Sequence, residues 1–201
     1  ELTLSRSMTI DGDLDGDGVP DIVLSGDAAG DDTTDAAGIT DIAASAQAGT
    51  LTDNNRVLSV TEGPVTLTGL VITGGYVDLP GGIRNPVNAG GGVRLYADTT
   101  IGDSRIEGNG VAGYSAVGGG LYAAPLPAGG PLPALHIADT TIAANTATDS
   151  GGDAGGIYIR AVAASFTDVA IDDNRAADDA GGIFAQGGSL MMSGGSLSGN
   201  A

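Results

Sequence analysis

"IADTTIAAN" occupies residues 137–145, and three other stretches of the chain repeat its pattern without gaps. The shared pattern is apolar, any residue, aspartate or glycine, two further residues, apolar, two further residues and asparagine. The four copies lie at 101–109, 137–145, 166–174 and 192–200, and an earlier stretch, 67–75, keeps everything except the asparagine. Self-similarity of this kind is the signature of a repeat architecture.

A glycine pair followed by an aliphatic residue opens each of these units. The pairs begin at residues 91, 119, 155 and 181, so the units step by 28, 36 and 26 residues. The long step contains the stretch 124–134, "APLPAGGPLPA", whose prolines cannot continue a central strand. We therefore expect 124–134 to be a loop that bulges outward. A repeat that accepts insertions only between short apolar segments is typical of a solenoid.

The segments between the corners are short and rich in β-branched and aromatic residues. Examples are "VRLY" and "IYIR", and none of the units contains a helix-period run of ten or more residues. The pattern predicts a parallel β-helix of about six coils, in which equivalent residues stack about 4.8 Å apart. Two inward columns are expected: Ile106, Ile142, Ile171 and Leu197, and Ile101, Ile137, Phe166 and Met192.

The corners of the predicted coil carry the glycine pairs and the asparagines. The glycine pairs fit positions where the backbone needs positive φ or leaves no room for a side chain. We expect the asparagines to turn the corner in a left-handed conformation, with stacked amides hydrogen-bonded along a ladder. The predicted ladder residues are Asn109, Asn145, Asn174 and Asn200.

The N-terminal part follows the same plan less regularly. Residues 2–10 and 21–26 read as strands around an acidic turn, and residues 56–75 form another coil. Between them, the acidic, alanine-rich insert 28–55 is expected outside the solenoid, with a short helix around residues 39–47. The whole chain, 1–201, is predicted to be a single all-β domain.

Composition limits the function classes. The 25 acidic residues outnumber the 7 arginines, giving a net charge of −18, which opposes binding to nucleic acid or to an anionic membrane surface. The sequence has no cysteine, which excludes disulfides and thiolate metal sites. No apolar run approaches the roughly 20 residues that a membrane-spanning helix needs, so membrane insertion is not expected. Such a charge suits solubility in salty water or the collection of divalent cations.

The acidic turn contains a candidate calcium loop. Asp13, Asp15, Asp17, Gly18 and Asp21 match D-x-D-x-D-G-x-x-D, positions 1, 3, 5, 6 and 9 of such a loop. Alternating acids on a tight turn bring their oxygens to one centre, which favours a hard cation such as calcium.

The remaining ligands of the candidate loop differ from those of the full helix-loop-helix site. The Val19 carbonyl would stand at position 7, but Leu24 occupies position 12, where that site has a bidentate glutamate. Water, Asp11 or Asp27 would have to replace it. The predicted role is structural, since a bound cation neutralises charges that otherwise repel. The alternative is a solvated acidic corner.

The glycine pair with its aliphatic residue, followed by I-x-x-N, resembles the GGA-I and F-x-x-N repeats of polymorphic outer-membrane proteins. The opening "LTLSRSMTIDGDLDGDGVPDIVLSGD" looks like the β-helical repeat regions of large secreted or surface proteins of bacteria. The resemblance covers nearly the whole chain except the two inserts, and departs from the family in having Ile or Leu where Phe is favoured. It implies a right-handed helix, export, and surface display or adhesion.

An enzyme of polysaccharides is the alternative function. Lyases resembling pectate lyase use calcium and an arginine or lysine base, and hydrolases on this fold use clustered aspartates. The chain has no lysine, and Asp172 and Asp173 lie at repeat positions that other units fill with unrelated residues, as expected of a solvated face. His136 is expected to point outward. No catalytic residue is therefore predicted, and a polysaccharide-binding or polysaccharide-cleaving module remains the alternative.

Aromatic residues recur beside the glycine pairs. Tyr122, Tyr158 and Phe184 each lie three residues after the first glycine of a pair, whereas Tyr96 lies five residues after it. The first three are therefore expected to stack in one column. Such a column is either a structural ladder or a platform for sugar rings.

The ends of a solenoid need covering because their strand edges are open. The chain opens within a strand-like stretch and ends where another glycine pair is due. We expect the open ends to meet other copies of the chain, giving a head-to-tail filament, or the rest of a longer chain. The predicted function is a non-catalytic structural or adhesive module of an extracellular or cell-surface protein, with a structural calcium turn.

Overall fold

The structure, a computed structural model, describes residues 1–78, 88–127, 129, 131–148 and 151–201. Strands make up 47% of it, and they form three sheets in which the recorded strand pairs are parallel. The predicted all-β class is confirmed. Sheet 1 has ten strands: β1 (Leu2–Ser5), β2 (Met8–Asp11), β4 (Leu58–Glu62), β5 (Val65–Thr68), β8 (Val93–Leu95), β9 (Thr99–Gly102), β12 (Leu121–Ala123), β13 (Ala134–Ala138), β16 (Ile157–Thr167) and β19 (Ile183–Ser193).

The other two sheets receive the chain after it leaves sheet 1. Sheet 2 contains β3 (Ile22–Ser25), β6 (Leu70–Thr73), β10 (Arg105–Glu107), β14 (Thr141–Ala143), β17 (Ala170–Asp172) and β20 (Ser196–Ser198). Sheet 3 contains β7 (Tyr76–Asp78), β11 (Gly110–Ala112), β15 (Thr146–Ala147) and β18 (Arg175–Ala176). Each strand pairs with its equivalents in the neighbouring units, on both sides except at the ends of a sheet, so the chain stacks in a solenoid-like manner.

We call one passage of the chain through the sheets a level. Level 1 contains β1–β3, level 2 β4–β7, level 3 β8–β11, level 4 β12–β15, level 5 β16–β18 and level 6 β19–β20. In levels 5 and 6 the two strands that sheet 1 receives from each unit are joined, giving the eleven-residue strands β16 and β19. These six levels match the number of coils that the repeat spacing predicts.

The strand register confirms both predicted apolar columns. One column runs through Ile72, Ile106, Ile142, Ile171 and Leu197. The other runs through Leu67, Ile101, Ile137, Phe166 and Met192. In levels 2 to 5 these side chains are at most 2% exposed and belong to one continuous core, because each is covered by equivalents above and below.

The prediction for the corner conformation was wrong. The left-handed residue is the one before each asparagine: Gly108, Ala144, Asp173 and Gly199, with φ between 53° and 64°. The third residue of the repeat is also left-handed, which explains why it is aspartate or glycine: Asp103, Asp139, Asp168 and Gly194 have φ between 47° and 71°. The turn precedes the asparagine because its side chain must enter the interior.

The insert 28–55 contains the short helix that the sequence predicts. This helix, α1, spans Ile42–Ala48, and it begins there because Asp41 caps it by accepting a hydrogen bond from the Ala44 amide at 3.0 Å. A 3₁₀ turn follows at Thr50–Asp53. The Thr40 amide donates to Thr73 Oγ1 at 3.0 Å, which holds the insert beside sheet 2.

The second insert, 124–134, contains no strand among its described residues until β13 begins at Ala134; Ala128 and Gly130 lie outside the described residues. The Ala134 amide donates to Asp98 Oδ1 at 2.8 Å, which fixes the return of the loop into sheet 1. Among the described residues, no helix has the length and apolarity needed to cross a membrane.

Candidate cation site and structural ladders

The predicted calcium loop is a tight turn between β2 and β3. Gly16 and Gly18 adopt left-handed φ values of 77° and 80°, which reverse the chain twice within a few residues. Asp13 organises the turn, because its Oδ1 accepts from the Gly16 amide at 2.8 Å and its Oδ2 from the Gly18 amide at 3.0 Å. Asp21 Oδ2 accepts from the Leu14 amide at 2.7 Å and so closes the loop.

Three of the predicted ligands come together in this turn. Oxygen atoms of Asp13, Asp15 and Asp21 all lie within 4.8 Å of one another. Asp17 is not part of this group: its Oδ1 accepts from the amide of Val19 at 2.8 Å. A donor set made only of carboxylate oxygens fits a hard divalent cation such as calcium and does not fit metals that prefer nitrogen or sulfur.

The electrostatics of the turn show the repulsion that a cation would relieve. The largest influence on Asp15 is a hydrogen bond from the Asp17 amide, which lowers its pKa. Repulsion from Asp17, slight desolvation, and the charges of Asp21 and Asp13 together outweigh it, so the pKa of Asp15 is raised overall. A bound cation would reverse this balance because it favours every ionised carboxylate around it.

A second group of carboxylates lies where the insert 28–55 begins and ends, and it was not predicted from the sequence. Asp27, Asp31 and Asp53 have oxygen atoms within 4.8 Å of one another. Asp53 Oδ2 accepts from the Ala29 amide at 2.7 Å, which ties the end of the insert to its beginning. Asp27 therefore belongs to this group, whereas the sequence offered it as a ligand for the turn.

The four ladder asparagines lie in one column, each on its own level. Asn109 Nδ2 donates to Asn145 Oδ1 at 3.0 Å, Asn145 Nδ2 to Asn174 Oδ1 at 2.9 Å, and Asn174 Nδ2 to Asn200 Oδ1 at 3.0 Å. The same oxygens accept from the backbone amides of the asparagines one level before them. Asn109, Asn145 and Asn174 are fully buried, so each of these bonds satisfies groups that water does not reach.

The ladder explains the second glycine of each pair. A Cβ on Gly120 would lie 2.8 Å from Asn145 Nδ2 and 2.9 Å from the Gly156 carbonyl oxygen. The glycine and the asparagine of one unit therefore occupy the same interior space, and these glycines do not have positive φ. The equivalent pairs on the other levels are Gly92 with Asn109, Gly156 with Asn174 and Gly182 with Asn200.

The aromatic column forms on the outer face of sheet 1. Tyr122 stacks on Tyr158 with ring centroids 5.6 Å apart, and Tyr158 stacks on Phe184 at 5.2 Å. Tyr96 meets Tyr122 edge-on at 6.2 Å, as its different position in the repeat requires. Tyr122 is 1% exposed, and burial raises its pKa to about 12, so this ring is a packed structural element.

A buried arginine joins levels 2 and 3. Arg56 is 5% exposed, and its Nε donates to the carbonyl oxygens of Ala89 and Gly90 at 3.0 and 2.9 Å. Its guanidinium also pairs with Glu1 at 2.9 Å. Burial and the neighbouring Arg94 lower the pKa of Arg56 to about 10, while Glu1 acts in the opposite direction. This cation holds the strand ends of two levels together.

The residues considered for catalysis are placed separately. His136 is exposed, as expected, and its Nδ1 lies 2.6 Å from Ser165 Oγ. Asp172 accepts from Ser198 Oγ at 2.7 Å, and Asp173 is the left-handed corner residue of its level. Asp153, which the sequence did not single out, has a raised pKa because of partial burial and the charges of Asp179 and Asp178.

A groove lies between α1 and sheet 3. Its volume is about 600 Å³, within the range of small-molecule sites. Its described lining consists of Ile42, Ala43, Ala46, Tyr76, Thr146, Ala147, Thr148, Arg175, Ala176 and Ala177.

Comparisons with protein-family models, with curated proteins and with solved structures gave no match for this chain. The proposals below therefore depend on the geometry of the molecule and on the resemblance of its repeats.

Proposed function

We propose that the chain is a right-handed parallel β-helix that acts as a non-catalytic structural or adhesive module of an extracellular or cell-surface protein, with a calcium ion in the turn between β2 and β3. The handedness is supported by the rule that parallel strands joined within a sheet are connected in a right-handed sense in about 98% of cases. Export and surface display are what the resemblance of the repeats to those of polymorphic outer-membrane proteins implies.

The observation that carries this function is the unbroken stacking of equivalent residues from level to level. Apolar columns, the asparagine ladder and the stacked aromatic rings each run along the solenoid axis through several levels. Each level supports its neighbours above and below, which stiffens the stack along its axis. A stack of this kind suits a stalk or a display surface, whose open ends join other copies or the rest of a longer chain.

Calcium has a defined structural role in this proposal. Asp13, Asp15 and Asp21 already converge, and their mutual repulsion is the cost of forming the turn without a cation. A cation bound by the folded turn and not by the unfolded chain stabilises the folded state by mass action. The stabilisation would act on level 1, where the turn connects sheet 1 to sheet 2.

The test is calorimetric titration with calcium, followed by thermal unfolding with and without a chelator. We expect Asp15→Asn to weaken calcium binding at the turn and to reduce the calcium-dependent increase in Tm, because it removes one of the three converging carboxylates. Glu62→Gln removes the same charge from an exposed glutamate outside both carboxylate groups and is the matched control. Asp31→Asn separates binding at the second group from binding at the turn.

An unchanged calcium isotherm in Asp15→Asn would show that the turn is a solvated acidic corner. Equal losses in Asp15→Asn and Glu62→Gln would show that calcium senses only the net charge of the protein. Either result removes calcium from the proposal and leaves the stack as a scaffold without it.

The groove beside α1 supports a second candidate, the binding of an acidic polysaccharide. Tyr76 offers part of an aromatic surface, and Arg175 is an exposed cation that suits a uronate carboxylate. Titration with oligogalacturonate tests this candidate: Arg175→Ala is expected to weaken binding, while Arg160→Ala, an exposed arginine outside the groove, is not. Equal binding by both variants would remove the candidate.

A further inference from the structure

We propose that the groove between α1 and sheet 3 binds a medium-chain fatty acid, with the carboxylate at Arg175 and the alkyl chain against the alanines of the groove. This inference rests on the second candidate function for its carboxylate partner, Arg175, and departs from it in the body of the ligand. It depends on three features of the groove: its apolar walls, the one charged residue of its described lining, and a buried hydroxyl group without a partner.

The walls of the groove are apolar on both sides. Ala46 lies three residues after Ala43 and four after Ile42, so the three share the face of α1 that lines the groove. The opposite wall, in sheet 3 and directly after β18, contains three further alanines: Ala147, Ala176 and Ala177. A sugar chain needs hydrogen-bond partners for its many hydroxyl groups, whereas six of the ten described lining residues are alanine or isoleucine. An alkyl chain instead gains free energy from each apolar group that it buries there.

Arg175 is the one charged residue in the described lining of the groove. Its side chain is exposed, and the ion pairs recorded among the described residues join other arginines to Glu1 and Glu107. The local charge of the groove is therefore positive, although the net charge of the chain is −18. A cation beside an apolar surface complements a ligand with one carboxylate on an apolar body, because a guanidinium pairs with a carboxylate through two parallel hydrogen bonds.

A buried hydroxyl group beside Arg175 lacks an acceptor. Thr146 Oγ1 is buried and has no hydrogen-bond partner within the described part of the chain. Thr146 lines the groove and is the direct neighbour of Arg175 in the register of β15 and β18. Most buried polar groups in folded proteins are hydrogen-bonded, so this hydroxyl indicates a missing partner. The carboxylate bound to Arg175 supplies it, because each carboxylate oxygen accepts more than one hydrogen bond.

Gly110 leaves a notch in the sheet next to this hydroxyl group. A Cβ on Gly110 would lie 2.9 Å from Thr146 Oγ1 and 2.9 Å from Tyr76 Cδ2, so the hydroxyl and the ring border the same small space. Tyr76 also lines the groove. Its ring shields the hydroxyl from water in the free protein, and it has to turn aside when the ligand carboxylate reaches Thr146.

The test is calorimetric titration with hexanoate, octanoate and decanoate, each below the concentration at which it forms micelles. The dissociation constant is expected to fall about 4-fold for each methylene group that the groove buries. Arg175→Ala is expected to weaken octanoate binding at least about 10-fold, because a charge-assisted hydrogen bond is lost, and to leave the binding of uncharged octanol unchanged. Arg160→Ala, at an exposed arginine outside the described lining of the groove, is the matched control.

Two further variants test the wall and the hydroxyl group. Ala46→Phe fills the groove from α1 and is expected to abolish octanoate binding, whereas Ala48→Phe, at an exposed position of the same helix outside the described lining, is not. Thr146→Val is expected to weaken octanoate binding about 5-fold without lowering the free energy of unfolding, because the hydroxyl has no partner in the free protein. Retained folding of each variant is checked by circular dichroism.

Absence of octanoate binding would overturn the inference, and so would an affinity that is independent of chain length or that Arg175→Ala leaves unchanged. Oligogalacturonate is titrated in parallel. Binding of oligogalacturonate without octanoate would overturn this inference and leave the polysaccharide candidate in place, whereas binding of octanoate alone would do the reverse. The calcium turn is tested separately by Asp15→Asn, so its failure is not confused with either result.

Discussion

Replacing Asn145 with alanine tests the asparagine ladder at its centre. Within the part of the chain that the structure describes, the change removes the one acceptor of the buried Asn109 backbone amide. It also removes the bonds to Asn109 Nδ2, Asn174 Oδ1 and the Ile106 carbonyl. An unsatisfied buried group costs about 1–3 kcal/mol, and each lost bond adds about 1 kcal/mol. We therefore expect Asn145→Ala to lower the free energy of unfolding by about 4–6 kcal/mol.

The same substitution at Asn200 is the matched control. Asn200 also accepts two bonds from the preceding asparagine and donates to a carbonyl. The residues around Asn200 in level 6 are exposed, however, so water can take the place of the Asn200 side chain as the hydrogen-bond partner of Asn174. We expect Asn200→Ala to cost about 3 kcal/mol, since only the net value of its three bonds is lost.

Urea unfolding followed by circular dichroism measures the difference, with thermal unfolding as a second assay. One kcal/mol corresponds to about 2–4 °C in Tm for a chain of this size, so Asn145→Ala should unfold about 10 °C below the wild type. Equal costs at Asn145 and Asn200 would refute the argument, because burial of the ladder would then not determine its contribution.

Three further outcomes follow from the geometry of the stack. Gly120→Ala is expected to destabilise the fold strongly in urea unfolding, because its Cβ would contact Asn145 Nδ2 and the Gly156 carbonyl oxygen. Gly102→Ala should be nearly neutral in the same assay, because its Cβ would meet only Thr68 Cγ2, at 3.4 Å. Asp153→Asn is expected to raise the free energy of unfolding at neutral pH. At a pH below the ordinary pKa of an aspartate it is expected to leave that free energy unchanged. Because the pKa of Asp153 is raised in the folded protein, its contribution to the free energy of unfolding is complete in acid and decreases as pH rises through the folded-state pKa. A difference between variant and wild type that stays constant across pH would contradict this. Tyr158→Leu, which breaks two ring stacks, should cost about 1–3 kcal/mol, and Phe184→Leu, which breaks one, about half as much; equal unfolding free energies would contradict a stacking contribution.

The period of the repeat was sufficient to predict the strand register. A parallel stack places each residue opposite its equivalent in the next unit. An alignment of the sequence units therefore gives the residue pairs of neighbouring strands directly. The columns through Ile106 and Ile101 followed directly, as did the stacking of Tyr122, Tyr158 and Phe184. No pairwise reasoning beyond the repeat was needed for these contacts.

The features that the sequence did not predict depend on conformation or on contacts outside the repeat. Aspartate or glycine at the third position of the pattern is typical of a residue with left-handed φ. The prediction placed the left-handed conformation at the asparagine instead, because asparagine also tolerates it. Its inward amide instead needs the left-handed residue one position earlier, which Ala144 supplies without a glycine. The group of Asp27, Asp31 and Asp53 joins residues from the two ends of the insert, and only its folded path brings them together.

The two ends of the solenoid are stabilised by different chemistry. From level 3 onward the buried amide column joins each level to the next, but in level 2 its position is Gly75, whose backbone amide donates to Asn109 Oδ1 at 3.0 Å. Beside Gly75, the insert supplies an amide from outside the column: Asn54 Nδ2 donates to the Gly74 carbonyl at 2.9 Å. Both carboxylate groups lie in this ladder-free region, on the turn after β2 and in the insert that follows β3. The acidic sequence is therefore concentrated where the internal ladder is absent, which is where a cation would contribute most to holding the levels together.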